Sequence, residues 1–141
     1  MEYAKDNFII STDKSRLDLD VIANFLQNSY WAKDRPLEII EKSIEGSICF
    51  GVYDNKEQIG FARVTTDKAT FAWLADVFIL EEYRGKGLSK WFIETVLNYP
   101  ELLSISRWML ATKDAHSLYK KFGFTDLKSP DQLMEKSNFN L

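Results

Sequence analysis

Residues 74–93 read LADVFILEEYRGKGLSKWFI, and this stretch decides the fold. The nearly continuous apolar run up to Leu80 predicts a buried strand, and apolar residues at helical spacing from Leu88 onward predict an amphipathic helix. Between them lies Arg84-Gly85-Lys86-Gly87-Leu88-Ser89, which we call the phosphate turn. Its two glycines permit backbone conformations that other residues avoid, so that successive N–H groups at a helix N-terminus can converge on one anion.

The side chains around the phosphate turn favour the same interpretation. Arg84 and Lys86 add positive charge to it. Because the preceding strand ends beside the bound phosphates, the rest of the ligand can lie along that strand and reach toward Asp76. This carboxylate stands in an apolar strand, where burial is costly unless the group is paired or faces a cavity.

Outward from this stretch, the chain alternates strands and helices. A helix lies between the run at 70–79 and the run at 105–112, which predicts a parallel strand pair joined by a crossover. The order indicates an α/β fold, a mixed sheet with helices on both faces. In chain order, the predicted elements are strand 8–12, helix 17–28, helix 36–45, strands 48–53, 58–65 and 70–79, helix 87–98, strand 105–112, helix 114–122, strand 124–127, and a weak final strand within 132–139.

Length and composition limit the classes of protein that remain. The 141 residues fit one domain spanning 1–141, and a net charge of −3 argues against a nucleic-acid or membrane partner. The single Cys49 excludes an internal disulfide, and no residue spacing suggests a metal site. The first residues lack the pattern of a secretory signal, and no window approaches the ~20 apolar residues of a membrane span, so we expect a cytoplasmic protein.

Tyr30 and Trp31 occupy a loop between the first two predicted helices. One interpretation is that these rings cover the end of the core, since aromatic side chains carry much buried area. The other is a substrate-binding pocket, in which flat rings beside Asp34 and Arg35 hold an amine or an apolar side chain. The sequence leaves both open.

Two motifs together resemble those of the GNAT superfamily of acetyl-CoA-dependent acyltransferases. The phosphate turn resembles the family signature (Gln/Arg)-x-x-Gly-x-(Gly/Ala), and residues 115–124, AHSLYKKFGF, resemble Ala-x-x-Leu-Tyr-x-x-x-Gly-Phe. The order of elements matches from the first strand to at least Leu127. The resemblance implies a mostly antiparallel central sheet with helices on both faces and one splayed pair of parallel strands.

The resemblance also implies roles for individual residues. Acetyl-CoA would be the co-substrate, and Tyr119 would act as the general acid that protonates the departing thiolate. The edge of the central strand would pair with the pantetheine arm, while N–H groups of the phosphate turn would hold the pyrophosphate. The implied cofactor-binding residues are Phe78, Ile79, Arg84, Gly85, Lys86, Gly87, Leu88 and Ser89.

The general base has several candidates. Ala75 stands where some small-amine acetyltransferases of this family place a Glu, so the first candidate is the next residue, Asp76, acting directly or through water. The alternative for Asp76 is a structural carboxylate that hydrogen-bonds neighbouring backbone at a bulge. Asp34 and Glu38 are further candidates for the base.

The resemblance therefore implies an N-acetyltransferase. The acetyl group would pass directly to a primary amine of a small molecule or peptide, without a covalent enzyme intermediate. A second hypothesis is a CoA-binding regulatory module without transfer activity, which the absence of a carboxylate at Ala75 would suit. The sequence leaves open whether the protein forms a homodimer.

Overall fold

The structure, a computed structural model, describes residues 1–138. These residues form an α/β fold with one sheet, in which the strands follow one another in chain order and all neighbours are antiparallel except the last pair. The fold predicted from the sequence is thereby confirmed. Its elements are β1 (Glu2–Lys5), β2 (Phe8–Ser11), α1 (Leu19–Gln27), α2 (Leu37–Glu45), β3 (Ile48–Asp54), β4 (Glu57–Thr66), β5 (Phe71–Ile79), α3 (Leu88–Leu97), β6 (Arg107–Met109) and α4 (His116–Lys120).

The parallel pair β5 and β6 is in contact at one end only. Phe71–Trp73 of β5 pairs with Arg107–Met109, whereas Leu74–Ile79 has no partner strand on this edge among residues 1–138. The two strands therefore splay apart as the resemblance implied. The splay leaves backbone N–H and C=O groups of β5 available to a ligand.

The sheet carries different elements on its two faces. One face packs against α1 and α2 through a cluster that includes Ile22, Ile40, Cys49 and Phe61. Because successive residues of a strand point to opposite faces, Phe50 lies on the other face, where its ring meets Tyr99 just after α3 at 5.2 Å. The chain around α3 thus covers the face of the sheet opposite to α1 and α2.

Local signals explain where the helices begin. The Asp18 carboxylate caps α1 by accepting the N–H groups of Asp20 and Val21, at 3.1 and 3.3 Å. Pro36 directly precedes α2, and Gly46 follows its last residue. The boundaries predicted for α1, α2 and α3 agree with the structure to within two residues.

Four differences concern short strands. The sequence did not predict β1, an exposed edge strand rich in charged residues. The strand predicted at 124–127 is irregular, and the final strand within 132–139 was wrong for residues 132–138, which hold the end of a 3-10 turn and then irregular chain. Phe139, its last predicted residue, lies outside the described residues. β6 is also shorter than the predicted 105–112.

The chain divides into two compact units, one from Met1 to Ala111 and one that begins at Thr112. The first contains the whole sheet, and the second contains α4. The prediction of one domain spanning 1–141 stays a prediction. Within residues 1–138, none of the helices combines the length and apolar character that a membrane crossing requires.

Candidate functional site

The phosphate turn has the backbone conformation that its glycines predicted. Gly85 and Gly87 have φ angles of 81° and 77°, in the left-handed region that L side chains rarely adopt. A Cβ built on either glycine would meet no atom within 4 Å. The backbone angle, and not the available space, therefore selects glycine at both positions.

The N-terminus of α3 is open. Gly87 is the N-cap residue, no side chain caps the helix, and its first turn carries no acidic residue. The first N–H groups of a helix lack intrahelical acceptors and lie at the positive end of its dipole. The N–H groups of Leu88, Ser89 and Lys90 are therefore placed to receive an anion.

The two cations of the phosphate turn are both oriented by neighbouring groups. Arg84 donates Nε to the carbonyl of Ile79 at 3.0 Å, which ties it to the end of β5. The Lys86 ammonium lies over the ring of Tyr83, 5.3 Å from its centroid. Both side chains are thus held by groups of the segment that leads from β5 into α3.

Tyr83 directly precedes the phosphate turn and anchors it to Asp54, the last residue of β3. Its hydroxyl donates to Oδ2 of Asp54 at 3.0 Å, and Asn7 donates Nδ2 to Oδ1 of the same carboxylate at 2.9 Å. The hydrogen bond to Asp54 raises the pKa of Tyr83 above its ordinary value, because the bond favours the neutral phenol. No local sequence pattern indicates this anchor, since its members are far apart along the chain.

Phe78 and Ile79 lie at the end of β5 nearest the phosphate turn, and their side chains are buried. Phe78 stacks on Phe25 of α1 with ring centroids 4.0 Å apart. Their side chains thus fix the strand against the core while its splayed edge stays open. The predicted cofactor contacts of both residues stay a prediction.

Asp76 occupies a β-bulge in β5. Phe61 of β4 faces Phe78 and Arg63 faces Ala75, so that one residue of β4 opposes two of β5. Asp76 itself has a φ of 55°, a left-handed conformation that Asp tolerates better than most residues. The bulge turns the side chain of Asp76 toward Trp31, Arg35 and Arg63.

The Asp76 carboxylate receives hydrogen bonds from three side chains. Trp31 donates Nε1 to Oδ1 at 3.0 Å, while Arg35 and Arg63 donate to Oδ2, each at 2.9 Å. We call these four residues the Asp76 cluster. The carboxylate is only 2% exposed, and the hydrogen bonds that it accepts within residues 1–138 come from side chains rather than from the neighbouring backbone that the structural alternative had named.

Arg63 is the residue of this cluster that the sequence analysis missed. Its Nη1 also donates to the hydroxyls of Ser47 and Thr65, each at 3.2 Å. A usable signal was present, because Arg63 is a charged residue in an apolar strand that neighbours the strand of Asp76. Two opposite charges in adjacent buried strands predict an ion pair.

Tyr30 and Trp31 lie together at the surface of the first unit. Tyr30 is 55% exposed and meets Trp31 edge-on at 5.2 Å, while Trp31, 39% exposed, also approaches Phe25 at 6.1 Å. The structure thus joins Trp31 to Asp76, two residues predicted for the site on separate grounds. The role of Tyr30 and Trp31 in substrate binding stays a prediction.

Tyr119 belongs to the second unit. It lies in α4, is buried, and its ring meets that of Phe124 edge-on at 5.7 Å. Gly123, with a φ of 93°, ends this segment as the motif predicted. The general-acid role of Tyr119 stays a prediction.

An open cavity of about 380 Å³ lies elsewhere in the first unit, and none of the predicted site residues lines it. Its lysines already have partners: Lys68 pairs with Glu101 at 3.5 Å, and Lys14 donates to the Glu45 carbonyl at 3.1 Å. Cys49 lines it as well, but burial raises the pKa of this thiol to about 11. The thiol is therefore neutral near pH 7 and not poised as a nucleophile.

Known acetyltransferases resemble this chain in sequence. The sequence model of the acetyltransferase (GNAT) domain matches residues 45–126, more than half of the chain. A Gibberella zeae protein named "Putative acetyltransferase FG08082" is 29% identical over 153 aligned residues, which cover 92% of this chain and 85% of that protein.

Solved structures show the same fold. A protein of the GNAT family from Xanthomonas campestris pv. campestris superimposes with a TM-score of 0.91 at 44% identity, covering 95% of each chain. A GNAT acetyltransferase from Elizabethkingia anophelis, solved with acetyl-CoA bound, has a TM-score of 0.67 at 16% identity, covering 95% of this chain and 91% of that one. The second likeness concerns the fold alone.

Proposed function

Because this chain belongs to the GNAT family of acetyltransferases, we propose that it transfers an acetyl group from acetyl-CoA to a primary amine of a small molecule or peptide. The observation that carries the proposal is the open N-terminus of α3, preceded by Gly87 in a left-handed conformation. Such an end binds phosphate through backbone N–H groups. The Elizabethkingia anophelis relative, which has acetyl-CoA bound, supports the choice of ligand.

The cofactor would lie along two features of the first unit. Residues 84–89 would hold the pyrophosphate, with Arg84 and Lys86 supplying positive charge. The amide groups of the pantetheine arm would pair with the open edge of β5 at Phe78 and Ile79, where β6 has already diverged. The thioester would then lie near the bulge at Asp76.

The reaction would be a direct displacement. The neutral amine attacks the acyl carbon, the carbon–sulfur bond breaks, and Tyr119 gives its proton to the departing sulfur. The amine proton passes to a base or to water. Positioning of the two substrates on one scaffold supplies much of the rate, since it replaces a bimolecular encounter.

The contacts of Asp76 favour a positioning role over the role of general base. Both of its oxygens already accept hydrogen bonds, and two guanidinium groups share Oδ2. The carboxylate is also only 2% exposed, so that an acceptor amine could not approach these oxygens without displacing one of the three partners. Asp34 and Glu38 are exposed and remain candidates for the base, as does solvent.

Two measurements test the proposal. Acetyl-CoA should raise the melting temperature. At 100 times its Kd, it should add roughly 3 kcal/mol to the free energy of unfolding. A thiol-release screen over amines, amino acids, polyamines, aminoglycosides and peptides should then identify an acceptor. No thermal shift at millimolar acetyl-CoA would contradict the proposal.

The Tyr119→Phe variant tests the acid role. Its turnover should fall far more than its affinity for acetyl-CoA, because the lost proton acts only in the transition state. An unchanged turnover would remove Tyr119 from that role. If acetyl-CoA binds and no amine in the screen is acetylated, the alternative of a CoA-binding regulatory module is favoured.

A further inference from the structure

The Asp76 cluster carries an unbalanced positive charge. Arg35 and Arg63 both pair with Asp76 at 2.9 Å, and Trp31 is neutral. Two guanidinium groups thus share one carboxylate. A partly buried positive charge of this kind attracts an anion, because the surrounding protein screens it less than water does.

Arg35 and Arg63 differ in how many of their guanidinium N–H donors have no acceptor among residues 1–138. Arg63 uses Nε on Asp76 and Nη1 on Ser47 and Thr65, and its side chain is 15% exposed. Arg35 uses only Nη1, and its side chain is 23% exposed. Among residues 1–138, no protein group accepts a hydrogen bond from Nε or Nη2 of Arg35.

Arg35 is held in a fixed position despite these spare donors. Its backbone N–H donates to the carbonyl of Ala32 at 3.0 Å, and its carbonyl accepts from Nε2 of Gln27 at 2.9 Å. Asp76 holds the guanidinium itself. A pre-oriented fork loses little conformational entropy when it binds a planar carboxylate.

The cluster also lies where an acceptor would have to bind. Asp76 precedes Phe78 by two residues, a separation of roughly 7 Å along a strand. Phe78 lies on the open edge of β5 that we assign to the thioester arm. Trp31, which donates to the same carboxylate, offers a partly exposed apolar ring beside it.

We propose that Arg35 binds a carboxylate of the acceptor, so that the acceptor is an amine that also carries a carboxylate, such as an amino acid or a short peptide. The spare Nε and Nη2 donors form the two hydrogen bonds, and Trp31 contacts an apolar side chain of the same molecule. This inference rests on the proposed acetyl transfer and specifies its substrate class.

The first test compares paired acceptors. Glycine, leucine and phenylalanine are assayed beside their carboxamides, at equal concentrations of the neutral amine, by release of free thiol from acetyl-CoA. The wild-type kcat/KM should favour the carboxylate over the carboxamide by roughly 10- to 100-fold, the range of a charge-assisted hydrogen bond. Equal values, or a preference for the carboxamides, would overturn the proposal.

Variants assign the preference to Arg35. Arg35→Gln should lower the ratio of carboxylate to carboxamide kcat/KM by about tenfold or more, and Arg35→Lys should lower it less, since it keeps the charge and loses the fork. Lys33→Gln removes an exposed charge from the same loop and should keep the ratio. A ratio that Arg35→Gln leaves unchanged would overturn the assignment.

A binding experiment separates this inference from the proposed transfer. N-acetylleucine and its carboxamide are titrated calorimetrically into the wild-type protein in the presence of CoA. Binding of the carboxylate at least about tenfold tighter supports the site even if no amine is acetylated, in which case the transfer proposal alone fails. Equal binding of the two compounds would reject the site even if acetylation occurs.

Discussion

The phosphate turn follows the end of β5, the Asp76 cluster is centred on a residue within β5, and the two regions are held in different ways. The phosphate turn takes its shape from backbone angles at Gly85 and Gly87 and presents N–H groups. The Asp76 cluster depends on side chains brought together from three distant parts of the chain. A backbone site recognises a feature common to many ligands, whereas a side-chain cluster can be specific for one.

This contrast suggests a division of labour. The phosphate turn would bind the cofactor, and the Asp76 cluster would select the acceptor. If so, substitutions in the phosphate turn should change the affinity for acetyl-CoA, and substitutions in the Asp76 cluster should change the affinity for the acceptor. Each should leave the other affinity nearly unchanged. The predictions below test that separation, in order of decreasing effect.

The largest effect is expected for Asp76→Ala. Removal of the carboxylate leaves two partly buried guanidinium groups without their anion, which should lower the free energy of unfolding by about 3 kcal/mol. Denaturation in urea measures this loss. Acetyl-CoA affinity, by calorimetry at a temperature where the variant is folded, should change less than about threefold.

Asp76→Asn serves as its matched control, because it keeps the shape and removes the charge. A loss of stability below about 1 kcal/mol in Asp76→Ala would show that the cluster is not the anchor we describe. A tenfold loss of acetyl-CoA affinity in both variants would contradict the division between the two regions.

Gly87→Ala, unlike Asp76→Ala, should act mainly on the affinity for acetyl-CoA. A Cβ in the left-handed conformation costs roughly 1–2 kcal/mol, and relief of that strain would turn the N–H groups of α3 away from the phosphates. We expect a loss of acetyl-CoA affinity of about tenfold, measured by calorimetry.

Gly46→Ala is the control for this glycine, since Gly46 also lies beside a helix but has a φ of −88° and room for a Cβ. It should leave the acetyl-CoA affinity unchanged. Equal losses in the two variants, or none in Gly87→Ala, would indicate that the phosphate turn does not bind the cofactor.

Tyr83→Phe tests whether the phosphate turn needs its anchor. Loss of the hydrogen bond to Asp54 should lower the melting temperature slightly, and loosening of the turn should weaken acetyl-CoA binding by several-fold. Thermal melts with and without acetyl-CoA report both quantities. An unchanged shift on adding acetyl-CoA would mean that the turn is rigid without the anchor.

The smallest effect concerns the β4–β5 turn, a backbone-held turn outside both regions. Asp67 accepts the N–H groups of Ala69, Thr70 and Phe71 and the Thr70 hydroxyl, and these bonds, the hydroxyl first, hold its pKa well below the ordinary value of 3.8. The stabilisation is present above pH 3.8 and is lost as the pH falls below it. The melting temperatures of wild type and Asp67→Asn should therefore converge on acidification. The substitution should leave the affinities for acetyl-CoA and for the acceptor unchanged.

The same contrast explains what the sequence could predict. The phosphate turn, β5 and α3 were predictable because their signals are local: glycine positions, an apolar run and helical periodicity. The partners of Asp76 come from positions 31, 35 and 63, and no local pattern reports which residues meet in space. The bulge that turns Asp76 toward them depends on the register of β4 against β5.

Short strands were the other source of error. β1 forms because the edge of β2 offers hydrogen-bond partners, although its own residues are exposed and charged. Residues 124–127 have a strand-like composition and remain irregular. Strand formation depends on a neighbouring edge as much as on the residues themselves, so that four-residue patterns predict it poorly.

The most direct test of the account is to locate acetyl-CoA on the protein residue by residue. Addition of acetyl-CoA to ¹⁵N-labelled protein should shift the backbone amide signals of residues 85–90 most strongly, with a second group of shifted signals along residues 74–79 of β5. The amides of the Asp67 turn should stay in place. If the largest shifts fall instead around the cavity at Ser47 and Thr66, or outside these segments, the assignment of the phosphate turn and the open edge of β5 to the cofactor is wrong.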